Sequence, residues 1–200
     1  GFLYSSFLLF LVIFLNTVTK KIAARIRGCE IEIEPWTISR YWFRKSDYFI
    51  YPIPMWIIWP ILVVWLSLGK IWWLVVTTFD VFTTHAKLGR KFTEVTEWDI
   101  ALIAASGIVV NLLASVVAIS FGYERFAFIN LWFIFFNLLP FPAYDGGKIF
   151  FGGRIFWGFL FTLNIIINML LHISLSTLGL VYLFVAIISI ITFYSLLEKR

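Results

Sequence analysis

Charged and metal-binding side chains are scarce in this chain of 200 residues. Charged residues make up 14% of the sequence and hydrophobic residues 62%, a balance that is unusual for soluble domains. The single cysteine, Cys29, excludes an internal disulfide. The two histidines, His85 and His172, are too far apart in sequence to match a zinc-ligand spacing. The composition predicts an integral membrane protein with one membrane domain.

The chain is rich in aromatic residues, and its basic residues outnumber its acidic ones. Aromatic residues make up 20% of the sequence, which suits a bundle that places them in the apolar belt and at the membrane interfaces. The net charge is +5, but the basic residues fall mainly in short loops between apolar runs. We therefore expect a lipid bilayer as the partner of this surface and no nucleic acid. Gly1 lies inside an apolar run, which predicts a missing or processed N-terminus without a recognisable signal peptide.

Long apolar runs dominate the sequence, and one membrane span needs about 20 such residues. Together they predict an all-α polytopic membrane protein with about five to six transmembrane helices. The predicted apolar regions run from Phe2 to about Val18, from about Phe49 to Phe82, from about Ile100 to Phe121, from Glu124 to about Leu139, and from Ile155 to Leu197.

For two of these regions, the sequence alone does not fix how many times the chain crosses the membrane. The Phe49 to Phe82 region is interrupted by prolines and by the Gly69-Lys70 pair, so it predicts either one span with a re-entrant or interfacial piece or a tight hairpin. The region from Ile155 to Leu197 is about twice the length of one span. It predicts two helices with a turn near residues 172 to 176. We therefore divide the chain into a membrane core, 1–150, and a C-terminal transmembrane hairpin, 151–200.

The polar segments between these regions also carry predictions. Residues 29 to 36 contain the strict alternation Ile31-Glu32-Ile33-Glu34, which is typical of a short strand and predicts interfacial β structure. The segment from Thr84 to Asp99 is predicted to be a solvated loop, with Asp99 favouring the start of the next helix. If the Phe49 to Phe82 region returns to its own side, the basic clusters at 20–45, 87–91, 148–154 and 199–200 all lie on one face, which predicts cytoplasmic loops and an N-terminus on the outer side.

One turn-rich polar segment, residues 137 to 147, interrupts the apolar sequence. A carboxylate such as Asp145 is costly in or near hydrocarbon unless a cation, a metal or several donors compensate its charge. Two interpretations remain open at this stage. Asp145 either bonds the local backbone in a turn that glycines at 146 and 147 permit, or pairs with a distant cation.

The same segment resembles a known family. Phe136-Asn137-Leu138-Leu139-Pro140, followed by Asp145-Gly146-Gly147-Lys148, is similar to the Asn-Leu-Leu-Pro and Asp-Gly motif of site-2 proteases, which are intramembrane zinc metalloproteases. Ala104 to Gly107 with Asn111 resembles the Ala-Gly-Pro and Asn stretch of that family without its proline. Lys21 to Gly28 resembles the segment that follows the family's His-Glu-x-x-His helix. Together these matches cover most of residues 1 to 150 and leave out the C-terminal hairpin.

The catalytic motif of the family is absent. His-Glu-x-x-His supplies two zinc ligands and a general base, and by this resemblance its positions fall on Asn16, Thr17 and Lys20. An amide, a hydroxyl and an ammonium cannot perform these roles. Only Asp145 remains of the two-His, one-Asp ligand set. The resemblance therefore implies the fold without the reaction, and we predict no catalytic residue, no metal and no cofactor.

The altered positions suggest what replaces the metal. Because the residues at 16, 20 and 145 converge on the zinc ion in the family, we expect the Lys20 ammonium to pair with the Asp145 carboxylate here. Asn111 is expected to hydrogen-bond a neighbouring helix. The remaining structural positions of the resemblance are Asn137, Pro140, Gly146 and Gly147.

Three functions are compatible with this sequence. The first is an inactive relative of site-2 proteases that acts as a scaffold, an accessory subunit or a binder of transmembrane segments, with other integral membrane proteins as partners. The second is an active intramembrane protease whose ligands are rearranged or supplied by a partner. The third is a transporter or a membrane subunit of a redox complex, in which polar residues form a path.

Overall fold

The computed structural model describes residues 2–40, 48–70, 73–75, 77–83 and 95–172. These residues form a helical bundle with two small antiparallel sheets. In chain order the elements are α1 (Phe2–Ile26), β1 (Cys29–Pro35), β2 (Ile38–Arg40), β3 (Tyr48–Ile53), α2 (Met55–Leu66), β4 (Thr77–Thr83), α3 (Glu97–Ser120), α4 (Glu124–Asn137), α5 (Asp145–Gly152) and α6 (Arg154–His172).

Two helices of the described chain are long and apolar enough to cross a membrane. They cover Leu3–Ile26, within α1, and Glu97–Ser120, which is α3. This indicates association with a membrane. The prediction of an all-α bundle with five to six transmembrane helices is wrong for the described residues. The other apolar helices are shorter, and α4, with 14 residues, extends only about 21 Å at 1.5 Å per residue, against a hydrocarbon core of about 30 Å.

The apolar region from Phe49 to Phe82 accounts for much of this difference. The chain forms strand β3, then the 12-residue helix α2, which begins directly after Pro54, and then strand β4. Gly69, at φ +77°, lies in the turn that follows α2. Neither predicted path is found among residues 48–70, 73–75 and 77–83. Apolar composition does not distinguish a span from a short helix between strands.

The strand predicted between residues 29 and 36 is confirmed as β1. It pairs with β4 in an antiparallel register that sets Ile31 opposite Val81 and Ile33 opposite Phe79. Phe79 is buried and Ile31 and Ile33 are half-buried, whereas Glu32 on the opposite face is exposed. The alternation in the sequence therefore reflects one face packed on the bundle and one open face.

Helices α1 and α3 form an antiparallel pair whose ends are defined by local signals. Gly28, at φ +74°, follows the last turn of α1, and its amide donates to the carbonyl of Arg25. Thr96 caps α3, because its hydroxyl accepts from the Asp99 amide while the Asp99 carboxylate accepts from the Thr96 amide. An ion pair between Arg27 and Asp99 joins the two ends. The helix thus begins at Glu97, slightly earlier than predicted, and residues 84–94 lie outside the described part.

The last described helix, α6, packs on α4 and the loop that follows it. Trp157 Nε1 donates to the carbonyl of Leu138 at 2.8 Å, and Asn164 Nδ2 donates to the carbonyl of Leu131 at 3.2 Å. These two bonds fix α6 against the segment that carries the Asn-Leu-Leu-Pro motif. The predicted turn after residue 172, the second helix of the hairpin, and His85 lie outside the described residues.

Candidate functional site

A buried ion pair joins the end of α1 to the start of α5. Lys20 Nζ lies 2.5 Å from Asp145 Oδ2, and the two side chains are 8% and 4% exposed. Asn137 Nδ2 donates to the same oxygen at 2.5 Å. The expected pairing of Lys20 with Asp145 is therefore present, and the interpretation of Asp145 as a local turn residue alone is wrong.

The loop before α5 is folded so tightly that it brings Asn137 back to Asp145. Tyr144 is fully buried and its ring packs edge-on against Trp36 and Phe141, with centroids 5.0 and 5.7 Å away. A side chain at Gly146 would overlap the carbonyl of Leu138. The two glycines of the motif are thus required by close backbone approach.

Replacing Gly146 by alanine is expected to destabilise the fold by about 1 to 3 kcal/mol, because the added methyl group would clash with backbone atoms of Leu138 and Leu139. Gly158→Ala in α6 is the matched control, because a Cβ there meets nothing within 4 Å, and removing a helical glycine is favourable by up to about 1 kcal/mol. Unfolding midpoints in detergent measure both. Equal midpoints for the two variants would contradict this packing.

A small residue on α3 closes the other side of the ion pair. A Cβ at Gly107 would lie 2.6 Å from Asn16 Nδ2 and 2.9 Å from Lys20 Cε, so α3 approaches α1 closely at this level. Asn16 is 3% exposed and lies one turn before Lys20 on α1. Asn16, Lys20 and Asp145 are therefore grouped as the resemblance implies, with Asn137 beside them.

The other predicted positions are arranged differently. Thr17 is half-buried and Pro140 is exposed, and neither contacts the ion pair through a hydrogen bond within the described chain. Asn111 lies deeper in the bundle, where its Nδ2 donates to the carbonyl of Val12 at 3.4 Å. The expected hydrogen bond from Asn111 to a neighbouring helix is confirmed.

Sequence reasoning missed a second ammonium group at the site. Lys148 Nζ lies 3.6 Å from the centre of the Phe79 ring, donates to the Phe79 carbonyl, and is 4.0 Å from Asp80 Oδ1. Lys20 Nζ lies 4.9 Å from the centre of the same ring. The position of Lys148 three residues after Asp145 was a usable signal, because that spacing places both on one helix face. Phe79 carried no such signal, because it lies in the apolar Phe49 to Phe82 region, for which no strand was predicted.

The surroundings of Lys148 change its acidity. Burial lowers the pKa of Lys148 from 10.5 to about 8, against the opposing effect of the Asp145 and Asp80 carboxylates and with a further lowering by Lys20. The unfolded chain therefore binds more protons than the folded chain between about pH 8 and pH 10.5. The contribution of Lys148 to stability is therefore expected to rise with pH in this window, as the buried ammonium loses its proton.

Urea or detergent unfolding at successive pH values tests this expectation. The Lys148→Met variant should lose the rise between about pH 8 and pH 10.5, whereas Lys21→Met, at an exposed position of α1, should keep it. A rise of the same size in both variants would assign the effect to another group.

The ligand positions do not fit a zinc ion. Lys20 places an ammonium against the only carboxylate of the set, and Asn16 offers an amide in place of an imidazole. Within the described ranges, no group of three His, Cys, Asp or Glu side chains lies close enough together to hold a metal. No step of a metal-dependent reaction can be derived from these residues.

Comparison with protein-family models, with curated proteins and with solved structures gives no match for this chain. The family resemblance therefore depends on the sequence motifs. What the arrangement can do chemically is limited: a paired carboxylate and ammonium lock α5 onto α1, and neither group is positioned as a free nucleophile or base.

Proposed function

We propose that this chain is a catalytically inactive, site-2-protease-like membrane protein. It acts as a scaffold, an accessory subunit or a binder of transmembrane segments in a larger membrane complex. The observation that carries the proposal is the 2.5 Å contact between Lys20 Nζ and Asp145 Oδ2. The resemblance implies a zinc ion at this place, and here a protein cation neutralises the carboxylate instead.

The chemistry of the pair supports a structural role. A catalytic zinc ion activates a bound water molecule, and an ammonium has no open coordination position for that task. Because the ion pair takes the place of the metal, the loop before α5 and the helices around it stay packed without a bound ion. A chain of this kind retains surfaces for other membrane helices without cleaving them.

We propose a multi-pass topology with the basic end of the bundle in the cytoplasm. Arg27 pairs with Asp99, Lys20 pairs with Asp145, and α5 approaches the start of α3 at Gly152. These contacts gather the end of α1, the start of α3 and α5 at one end of the bundle. Exposed basic side chains, among them Lys21 and Arg25, lie at that end.

The outer faces of the spans suit lipid and membrane-protein partners. Phe7, Phe10 and Phe14 on α1 are 57%, 61% and 56% exposed, and Leu113 on α3 is 61% exposed. Apolar exposure of this extent is unfavourable in water and favourable against lipid or another transmembrane helix. The partners that fit are the bilayer and other integral membrane proteins.

Native mass spectrometry of the protein, extracted gently from its own membrane, tests this function. A metal-free complex with a stoichiometric companion protein is the expected result. A zinc-loaded species would overturn the proposal in favour of an active protease with other ligands. A metal-free chain that remains solitary in every mild detergent would argue against a scaffold.

A further inference from the structure

Strand β4 is covered along its outer edge, the edge that does not pair with β1. Lys148 Nζ on α5 donates to the carbonyl of Phe79, and Thr78 Oγ1 donates to the carbonyl of Ala143, in the loop before α5, at 2.5 Å. In an antiparallel pair, opposite residues alternate between pairs that exchange main-chain hydrogen bonds and pairs whose main-chain groups point away from each other. Since the Phe79 carbonyl points to α5, Phe79 and its partner Ile33 form a pair of the second kind.

The same register leaves the outer edge of β1 open. The main-chain N–H and C=O groups of Ile33, and of Ile31 two residues earlier, point away from β4. Within the described chain, no hydrogen bond reaches these groups. The side chains of Glu30, Glu32 and Glu34 are exposed along the strand. An open strand edge of this kind is a template on which a further strand can pair.

Lipid does not suit this edge of β1. Phe79, opposite Ile33 in the register, places the centre of its ring 4.9 Å from Lys20 Nζ, and Lys20 lies about 9 Å before the end of α1 at Ile26. Strand β1 therefore runs back beside α1, one of the two helices that are long and apolar enough to cross a membrane. Open sheet edges do not face lipid within the hydrocarbon region, because their main-chain groups would have no partners there. The edge thus needs water or a strand of another protein beside it.

The charges on the open face of the sheet determine which strand fits. Glu30, Glu32 and Glu34 alternate along β1 with the half-buried isoleucines, and Glu32 stands opposite Asp80 of β4. Like charges in directly opposite positions are destabilising, and within the described residues no cation pairs with the three glutamates. A second copy of β1 on this edge would set glutamates against glutamates. A strand with Lys or Arg at alternate positions complements the row instead.

We propose that the outer edge of β1 binds an extended segment of another membrane protein by strand addition, and that this segment carries Lys or Arg at every second position. Its basic side chains lie beside the glutamates on the open face, and its intervening apolar side chains lie on the face of Ile31 and Ile33. Segments on the cytoplasmic flank of a transmembrane helix are rich in Lys and Arg, so they are the class of partner that fits. This inference rests on the proposed role as a binder of transmembrane segments, and it names the part of the partner that is recognised.

Fluorescence anisotropy with the full chain in a neutral detergent tests the edge. The probe is a labelled peptide of alternating Lys and Val, with the seven residues of β1 as its length and with blocked ends. We expect saturable binding that weakens as salt is added. A peptide of alternating Glu and Val should not bind. The Lys and Val peptide methylated on its backbone nitrogens keeps every charge but loses its main-chain donors, so it should bind at least about tenfold more weakly.

Neutralising the glutamates tests the same edge from the side of the protein. Glu32→Gln should weaken binding of the Lys and Val peptide about two- to fivefold, and changing Glu30 and Glu34 to Gln as well should weaken it further. Glu124→Gln is the matched control, because it neutralises an exposed carboxylate on α4, outside the sheet, and it should leave binding unchanged. All four side chains are exposed, so these variants are expected to fold.

Three results would overturn strand addition at β1. Equal affinity for the methylated peptide would mean that charge alone accounts for binding. Equal affinity for the Glu and Val peptide would remove the role of the glutamates, and a lack of saturable binding would remove the edge as a binding surface. A stoichiometric companion in native mass spectrometry, together with any of these results, would leave the proposed function standing and exclude only this mode of recognition.

Discussion

Lys20→Ala is expected to lower the free energy of unfolding by about 3 to 5 kcal/mol, because it leaves the Asp145 carboxylate buried without its cation. Asn137 still donates to Asp145 Oδ2, but a neutral donor does not replace an ammonium in direct contact. Reversible unfolding in mixed detergent micelles measures the loss. Lys21→Ala, at the next position and exposed, should change stability by less than about 0.5 kcal/mol.

A double variant separates the effect of breaking the ion pair from the effect of changing the side chain at position 20. Lys20→Met combined with Asp145→Asn removes both charges and keeps similar volumes, so it should cost less than Lys20→Met alone. The opposite order, with the double variant as the less stable of the two, would mean that the charges do not depend on each other. Equal costs for Lys20→Ala and Lys21→Ala would exclude a structural role for the contact.

Placing the zinc-ligand motif of site-2 proteases at the positions that the resemblance indicates is expected to give a protein that binds one zinc ion per chain. The triple variant Asn16→His, Thr17→Glu and Lys20→His places two imidazoles one turn apart beside Asp145, with a carboxylate adjacent. Asn16 and Lys20 both lie against Gly107, and Lys20 contacts Asp145, which is why this outcome is expected. Inductively coupled plasma mass spectrometry on the purified protein measures the ratio.

Adding Asp145→Asn to the triple variant provides the control, since it replaces one of the three protein ligands and should weaken zinc binding sharply. A triple variant that folds but binds no zinc would remove the structural basis of the site-2-protease resemblance. Zinc bound equally well with Asn at position 145 would place the metal elsewhere. Cleavage of a test substrate is not required for either result.

The sequence predicted the site better than it predicted the fold. The pairing of Lys20 with Asp145 was implied by the resemblance to site-2 proteases, in which the residues at these two positions meet at the zinc ion. It also has a chemical reason, because a buried carboxylate needs a compensating group. Lys148 belongs to the same motif. Its contact with Phe79, however, depends on strand β4, which lies in an apolar region for which no strand was predicted.

The periodicity of apolar residues predicted secondary structure correctly where one face of the element is buried and the other is exposed. The alternation in Cys29–Pro35 predicted β1, but its partner β4 (Thr77–Thr83) is apolar enough to merge with the preceding run. Helix α2 shows a related difficulty, because it is apolar on all sides and has no buried residue of its own. Its length was set by Pro54 and by the turn at Gly69, which are local signals that a count of apolar residues does not weigh.

The ion pair between α1 and α5 has a consequence for biosynthesis. Its two partners are separated by most of the described chain, and ribosomes add about 5 to 20 residues per second. Lys20 is therefore synthesised roughly ten seconds before Asp145 exists. During that interval the Lys20 ammonium has no carboxylate partner at position 145 and must be solvated by water. Lys20 lies six residues before Ile26, the last residue of α1, so its long side chain can extend toward the end of the helix. Helix α3 is synthesised before α5, so α1 can already pair with α3, and the ion pair then fixes α5 onto this pair of helices.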